Sequence, residues 1–123
     1  MKAYGKKTWL IADTYLNSIS KHSQISHESA CVLNTSDKDA TIKLTLYFED
    51  REKMDDFESF CKAGRTHHIR LDKIISKSGK PIPRDVPYAI LLESDVDVVV
   101  QYTRLDTSAP EMALMTTMGY AVE

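Results

Sequence analysis

Along residues 40–50, ATIKLTLYFED, apolar and polar side chains alternate. Ile42, Leu44, Leu46 and Phe48 fall on one side, and Thr41, Lys43, Thr45 and Tyr47 on the other. A period of two is the mark of a β-strand with one buried face. Five further stretches read as strands: KKTWLIAD (6–13), ESACVLNT (28–35), RTHHIRLD (65–72), PYAILLES (87–94) and VDVVVQYTR (96–104). Turn formers, SDKD, follow the second of them. Ser94-Asp95 reads as a tight link that would fold the last two into a hairpin. The segment 52–63 fits either period: Met54, Phe57 and Cys61 have helical spacing, whereas Phe57, Ser59 and Cys61 fit a strand, and Gly64 ends it in either case. Residues 14–26 and 76–86 are loops; Gly79, Pro81 and Pro83 bar regular structure from the second. Ser108 with Glu111 three residues on resembles a capping box and predicts a single helical turn. Many short strands without a long helix predict an all-β sandwich or barrel.

A chain of 123 residues suits one domain, 1–123, with one core. Its 42% hydrophobic and 28% charged residues are ordinary for a globular protein and argue against disorder. The net charge of −2 leaves no basic stripe to meet a phosphate backbone, so nucleic acid is an unlikely partner. The N-terminal stretch lacks the apolar run of a secretory signal, and YAILL and VDVVV are far too short to span a bilayer. The expectation is a soluble, cytoplasmic protein in which Cys31 and Cys61 are buried thiols rather than a disulfide. Ile82, Met112, Leu114 and Met118 stand in predicted loops as apolar residues that a small sandwich would leave uncovered.

Four polar clusters accompany the strands: Trp9 with Asp13 and Tyr15; Ser26, His27 and Glu28 with Asn34; Arg65, Thr66, His67 and His68 with Arg70; and Gln101 to Asp106. Alternation puts Thr66, His68 and Arg70 on one face of their strand and Arg65, His67, Ile69 and Leu71 on the other. His67 and His68 therefore point apart and make a poor metal site; as a pair they also fit a solvated edge. Arg104 and Asp106 also fit a plain salt bridge, and Trp9 a core indole. No G-x-S-x-G elbow, phosphate-binding glycine loop or H-E-x-x-H is present. The carboxylates Asp13, Glu28 and Asp106 cannot be paired by spacing alone, and no enzyme, metal or cofactor is predicted.

The stretches ISHESACVLNTSDKDATIKLTLYFED, GRTHHIRLD, PIPRDVPYA and VVVQYTRLDT resemble the sensory rhodopsin transducer family, whose namesake is the soluble transducer of a cyanobacterial photoreceptor. The resemblance runs from about Trp9 to Tyr120 and departs in the 14–26 loop and in 52–62. It implies a small sandwich of short, mostly antiparallel strands, assembled as a homotetramer, with 52–62 as a strand. It also implies an intracellular sensor of a small molecule, a sugar or related polyol; the alternative is an adaptor relaying the state of a membrane receptor through protein contacts. Planar polar groups and an aromatic face suit a sugar. The expected ligand-binding residues are Trp9, His27, Asn34, Arg65, His68, Arg70, Gln101, Thr103, Arg104 and Asp106, with the ligand where 101–106 meets 65–70 and 26–34.

Overall fold

A computed structural model describes residues 1–123. Eight strands run in the order β1 (Lys6–Tyr15), β2 (His27–Asn34), β3 (Ala40–Phe48), β4 (Met54–Cys61), β5 (Arg65–Arg70), β6 (Pro87–Asp106), β7 (Ala113–Met118) and β8 (Tyr120–Val122). Every pairing is antiparallel. One sheet, A, has the order β4-β3-β6-β1-β8. The other, B, has β5 beside β2, β2 beside β6 and β6 beside β7. The alternating strand β3 follows its pattern, with Ile42, Leu44 and Leu46 buried and Thr41, Lys43 and Tyr47 exposed, except that Thr45, on the side expected to face water, is buried.

Strand β6 belongs to both sheets. Its first half pairs with β1 and β3, Tyr88 lying opposite Thr14 and Phe48. Its second half pairs with β2 and β7, Thr103 lying opposite Ser29 and Thr116. The predicted hairpin at Ser94-Asp95 is therefore incorrect. A two-residue hairpin turn needs a positive φ at one or both central residues, and Asp85 is the only non-glycine residue with one. The chain kinks instead. Opposite β1, the register jumps from Glu93 to Val98 between Thr8 and Lys6, so the polar stretch between them bulges while the strand changes sheets. Side chains hold the kink: Val96 N–H donates to Ser94 Oγ (3.2 Å) and Thr41 N–H to Asp95 Oδ1 (2.8 Å). Gly5 meets this kink from the other side, with a φ of 107° and no room for a Cβ, which would stand 1.9 Å from the Val98 carbonyl oxygen.

Residues 54–61 form a strand, which settles the ambiguous segment. The helical turn after Ser108 is absent. Ser108 N–H and Oγ both donate to Asp106 Oδ1 (2.8 and 2.6 Å), so Asp106 organises a bend there. The two loops brace each other. Ser18 N–H donates to Asp85 Oδ1 (2.9 Å), and Arg84 Nη1 to the Asn17 carbonyl (2.8 Å). Ile82 is not an uncovered loop residue, because the second loop folds it into the core at 3% exposure, whereas Met112, Leu114 and Met118 are exposed. Strands β7 and β8 were not foreseen. All six residues of β7 are exposed, so no burial rhythm marks it. A single cluster of 20 buried apolar residues, drawn from both sheets and both loops, fills the interior.

Candidate functional site

Of the ten residues expected to bind a ligand, four share the outer face of sheet B, Arg104 turns to its inner face, and five lie apart. Inward-facing positions of β2 are Glu28, Ala30, Val32 and Asn34, all buried; Cys31 and Leu33 face outward. The register then sets three cross-strand rows on the outer face. Thr66, Leu33 and Val99 make one row. His68, Cys31, Gln101 and Met118 make the next. Arg70, Ser29, Thr103 and Thr116 make the third. Four of the expected residues, His68, Arg70, Gln101 and Thr103, thus share two adjacent rows.

The outer face is shaped by side-chain length. Ser29 and Cys31 on β2 are short, whereas His68 and Arg70 on β5 and Gln101 on β6 are long. The result is a trough along β2, about 10 Å between its flanking backbones, or two interstrand spacings. Its deepest part is a hollow of about 240 Å³ lined by Cys31, Val32, Leu33, Thr66, His68, Val99 and Gln101. One wall is tied down. Gln101 Nε2 donates to Thr116 Oγ1 (2.7 Å), Thr103 Oγ1 donates to the same oxygen (3.1 Å), and Thr116 Oγ1 donates to the Tyr102 carbonyl (3.0 Å). Thr66 Oγ1 donates to the Val32 carbonyl (3.2 Å). The Gln101 carbonyl oxygen and the His68 ring keep free hydrogen-bonding capacity toward solvent. Burial pushes the Cys31 thiol upward, against the Thr103 hydroxyl beside it, so the floor is a neutral thiol.

The inner face carries a different cluster. Arg104 lies directly across from Glu28 in the register, and both point into the end of the sandwich. The Glu28 carboxylate is 1% exposed and accepts from Tyr88 Oη (2.6 Å), Tyr15 N–H (2.8 Å) and Arg104 Nε (3.2 Å). Arg104 Nε also donates to Tyr102 Oη (3.0 Å), and its Nη2 reaches the exposed Asp13 carboxylate at 3.7 Å. Burial pushes the Glu28 pKa above its ordinary value, although the Tyr88 hydroxyl, the Tyr15 amide and Arg104 all pull it back. Burial and the neighbouring carboxylate push the Tyr88 hydroxyl strongly upward, so it remains a donor. Tyr88 was not among the expected residues, since 60 positions separate it from Glu28 and no local spacing announces the contact.

The remaining expected residues are engaged elsewhere. Trp9 is a core indole; its Nε1 donates to the carbonyls of Lys6 (3.0 Å) and Val98 (3.1 Å), so it offers no platform to a ligand. Asn34 is fully buried at the end of β2. Its Nδ2 donates to the carbonyls of Lys38 (2.7 Å) and Cys61 (3.0 Å), and its Oδ1 accepts from Ser36. His27 Nδ1 donates to the Ile25 carbonyl (2.7 Å), exposed Arg65 donates to Gly64, and Asp106 serves Ser108 and Asn17. No three His, Cys, Asp or Glu side chains converge as metal ligands.

This fold and its long motifs have close counterparts. The family model described as Anabaena sensory rhodopsin transducer matches residues 4–121. The chain belongs to the Anabaena sensory rhodopsin transducer family. Among solved structures, "Crystal Structure of Thermotoga maritima 1070" is 38% identical, with a TM-score of 0.86 over 97% of both chains. The Anabaena sensory rhodopsin transducer itself is 35% identical, with a TM-score of 0.75 over 85% of this chain and 92% of that one. The set of curated proteins contains no match. Membership bears out the all-β fold and the recognition drawn from the sequence motifs. No helix of this family member is long and apolar enough to cross a membrane.

Proposed function

We propose that this transducer-family chain is an intracellular sensor domain that binds a small polyhydroxylated molecule, a sugar or polyol, on the outer face of sheet B. The observation that carries the reading is the trough over Cys31, walled by His68 and Thr66 on one side and by Gln101 on the other. Val99 and Leu33 supply apolar surface for ring C–H groups, while Gln101 and His68 exchange hydrogen bonds with hydroxyls. The hollow is smaller than most drug-sized pockets, which suits a single sugar ring and a modest affinity. No carboxylate lines the trough, so it lacks the paired acids that hydrolyse glycosides, and the reading is of a binder rather than an enzyme.

The proposed working form is a homotetramer. Strand β7, ALMTTM, is an uncovered edge without a charge or a proline, the kind of edge that natural proteins blunt or pair. Beside it, Leu10, Met115, Met118 and Tyr120 frame an apolar notch of about 590 Å³. A second copy of the chain covering this side would remove both liabilities. The same surface favours the alternative reading, an adaptor docking on a receptor as the Anabaena protein's name describes. A thermal-shift panel of monosaccharides and polyols on the parent chain and on Gln101→Ala tests the sensor reading. A sugar-dependent rise in melting temperature that Gln101→Ala weakens supports it; no response from any sugar removes it.

A further inference from the structure

The hollow over Cys31 has a neighbour. A second depression of about 260 Å³ lies at the free edge of β5, lined by Ser59, His67, His68, Ile69, Arg70, Lys73 and Ile74. His68 lines both, so the two adjoin at that side chain. Their chemistry differs. The Cys31 hollow has no full-time charge, whereas the second holds Arg70, Lys73 and two imidazoles and is lined by no carboxylate. Asp72 balances the Arg70 charge from beneath, so Lys73 is the full-time cation left uncompensated there.

The cations are positioned by the backbone. After β5, the N–H groups of Lys73 (3.2 Å) and Ile74 (3.1 Å) both donate to the Arg70 carbonyl, a tight turn that brings Lys73 back beside Arg70. Asp72, whose side chain is only 6% exposed, clasps Arg70 from beneath through Nε (2.8 Å) and Nη2 (2.9 Å). The clasp fixes the plane of the guanidinium and leaves Nη1 without a protein acceptor. Neither Lys73 nor either histidine forms an ion pair, and Glu58 in β4 pairs with Lys77 (2.9 Å).

We infer that the ligand of this site is an anionic sugar, a phosphorylated or carboxylated monosaccharide whose ring lies over Cys31 and whose charged group lies between Arg70 and Lys73. The inference rests on the sensor reading above and names the class of ligand for that same trough. His68 stands at the junction and serves both parts. A phosphate monoester and a carboxylate share the chemistry that Arg70 and Lys73 recognise, a planar or tetrahedral set of anionic oxygens.

The test is isothermal calorimetry on the full chain with glucose, glucose 6-phosphate, glucuronate and inorganic phosphate, each against the parent, Lys73→Ala and Gln101→Ala. Lys73 is exposed, so its removal leaves the fold intact. One of the two anionic sugars is expected to bind about tenfold tighter than glucose, the scale of one added hydrogen bond to a charged group. Lys73→Ala is expected to abolish that advantage without changing the glucose affinity, and Gln101→Ala to weaken all sugars. Which anion gains separates phosphate from carboxylate. Equal binding of glucose and both anionic sugars overturns the inference and leaves the sensor reading standing. Inorganic phosphate binding as tightly as glucose 6-phosphate also overturns it, because the ring then contributes nothing. Absence of binding by every sugar overturns both.

Discussion

Replacing Arg104 with alanine tests what holds the end of the sandwich together. Glu28 is buried and leans on three donors. Removing one partner of a buried ion pair costs about 3–5 kcal/mol when the surviving charge is left alone. Here it is not alone, because Tyr88 Oη at 2.6 Å and Tyr15 N–H at 2.8 Å remain. The loss is therefore set lower, at about 2–3 kcal/mol. For a domain of this size that corresponds to a fall in melting temperature of roughly 10 °C. Glu28→Gln on the Arg104→Ala background removes the stranded charge while keeping an acceptor for Tyr88, so the double variant is expected to recover part of the loss. Urea unfolding followed by the fluorescence of the single tryptophan, buried Trp9, measures both changes. Arg104→Ala within about 0.5 kcal/mol of the parent would refute the reasoning. So would a double variant no more stable than Arg104→Ala alone, since the penalty would then not be Glu28's charge. Because Arg104 faces away from the trough, the sugar response should survive in whatever Arg104→Ala protein remains folded.

Glu28 also sets a pH dependence. Its folded pKa lies above the unfolded value of 4.5, so between the two the folded chain holds more protons, and its contribution grows as pH falls through that window and is complete below 4.5. The parent should therefore gain stability relative to Glu28→Gln on acidification from neutral pH toward 4.5, measured by parallel urea titrations; a relative loss would contradict the sign. Gly5→Ala should be severely destabilising, by about 3 kcal/mol or more, because a Cβ would collide with the Val98 carbonyl at a φ no alanine favours; a calorimetric melting temperature equal to the parent's would show that the kink relaxes freely. Light scattering coupled to gel filtration should give a tetramer mass, and Leu114→Glu with Met118→Glu should shift it to a smaller species; a monomeric parent at micromolar concentration would end the assembly proposal. A chelator should leave the melting temperature unchanged, and both cysteines should react as thiols after denaturation; a drop of several degrees would reveal a metal.

Much of the fold was legible because burial imposes rhythm. Residues 40–48 alternate because one side faces the core and most of the other, Thr41, Lys43 and Tyr47, faces water, with Thr45 the buried exception. The same logic failed at β7, where all six residues face outward and leave no rhythm to read. It failed again at Ser94–Asp97, where polar residues that usually announce a turn instead bulge within a continuous strand. For the site, alternation placed His68 and Arg70 on one face correctly, and the pairing of 26–34 with both 65–70 and 101–106 does form. What alternation in one strand could not supply was the register between strands. Register decides that Gln101 joins His68 on the outside while Arg104 turns inward to Glu28. Trp9 and Asn34 look like binding groups by type, yet each satisfies main-chain groups within the fold, a role that only the three-dimensional path of the backbone reveals.

The strand shared by the two sheets also bears on how the chain is made. Residues 6–15 and 40–48 leave the ribosome early, but neither has its central partner until residues 87–94 have been translated. Strand β2 waits longer still, for residues 99–105. Until then the nascent chain can hold little beyond the β3–β4 and β2–β5 hairpin-like pairings, each with one edge bare. Both halves of the sandwich therefore close late and almost together, as β6 emerges. The window before that, with β1 unpaired and β2 and β3 each bare along one edge, is when exposed strand edges leave the chain most open to misassociation.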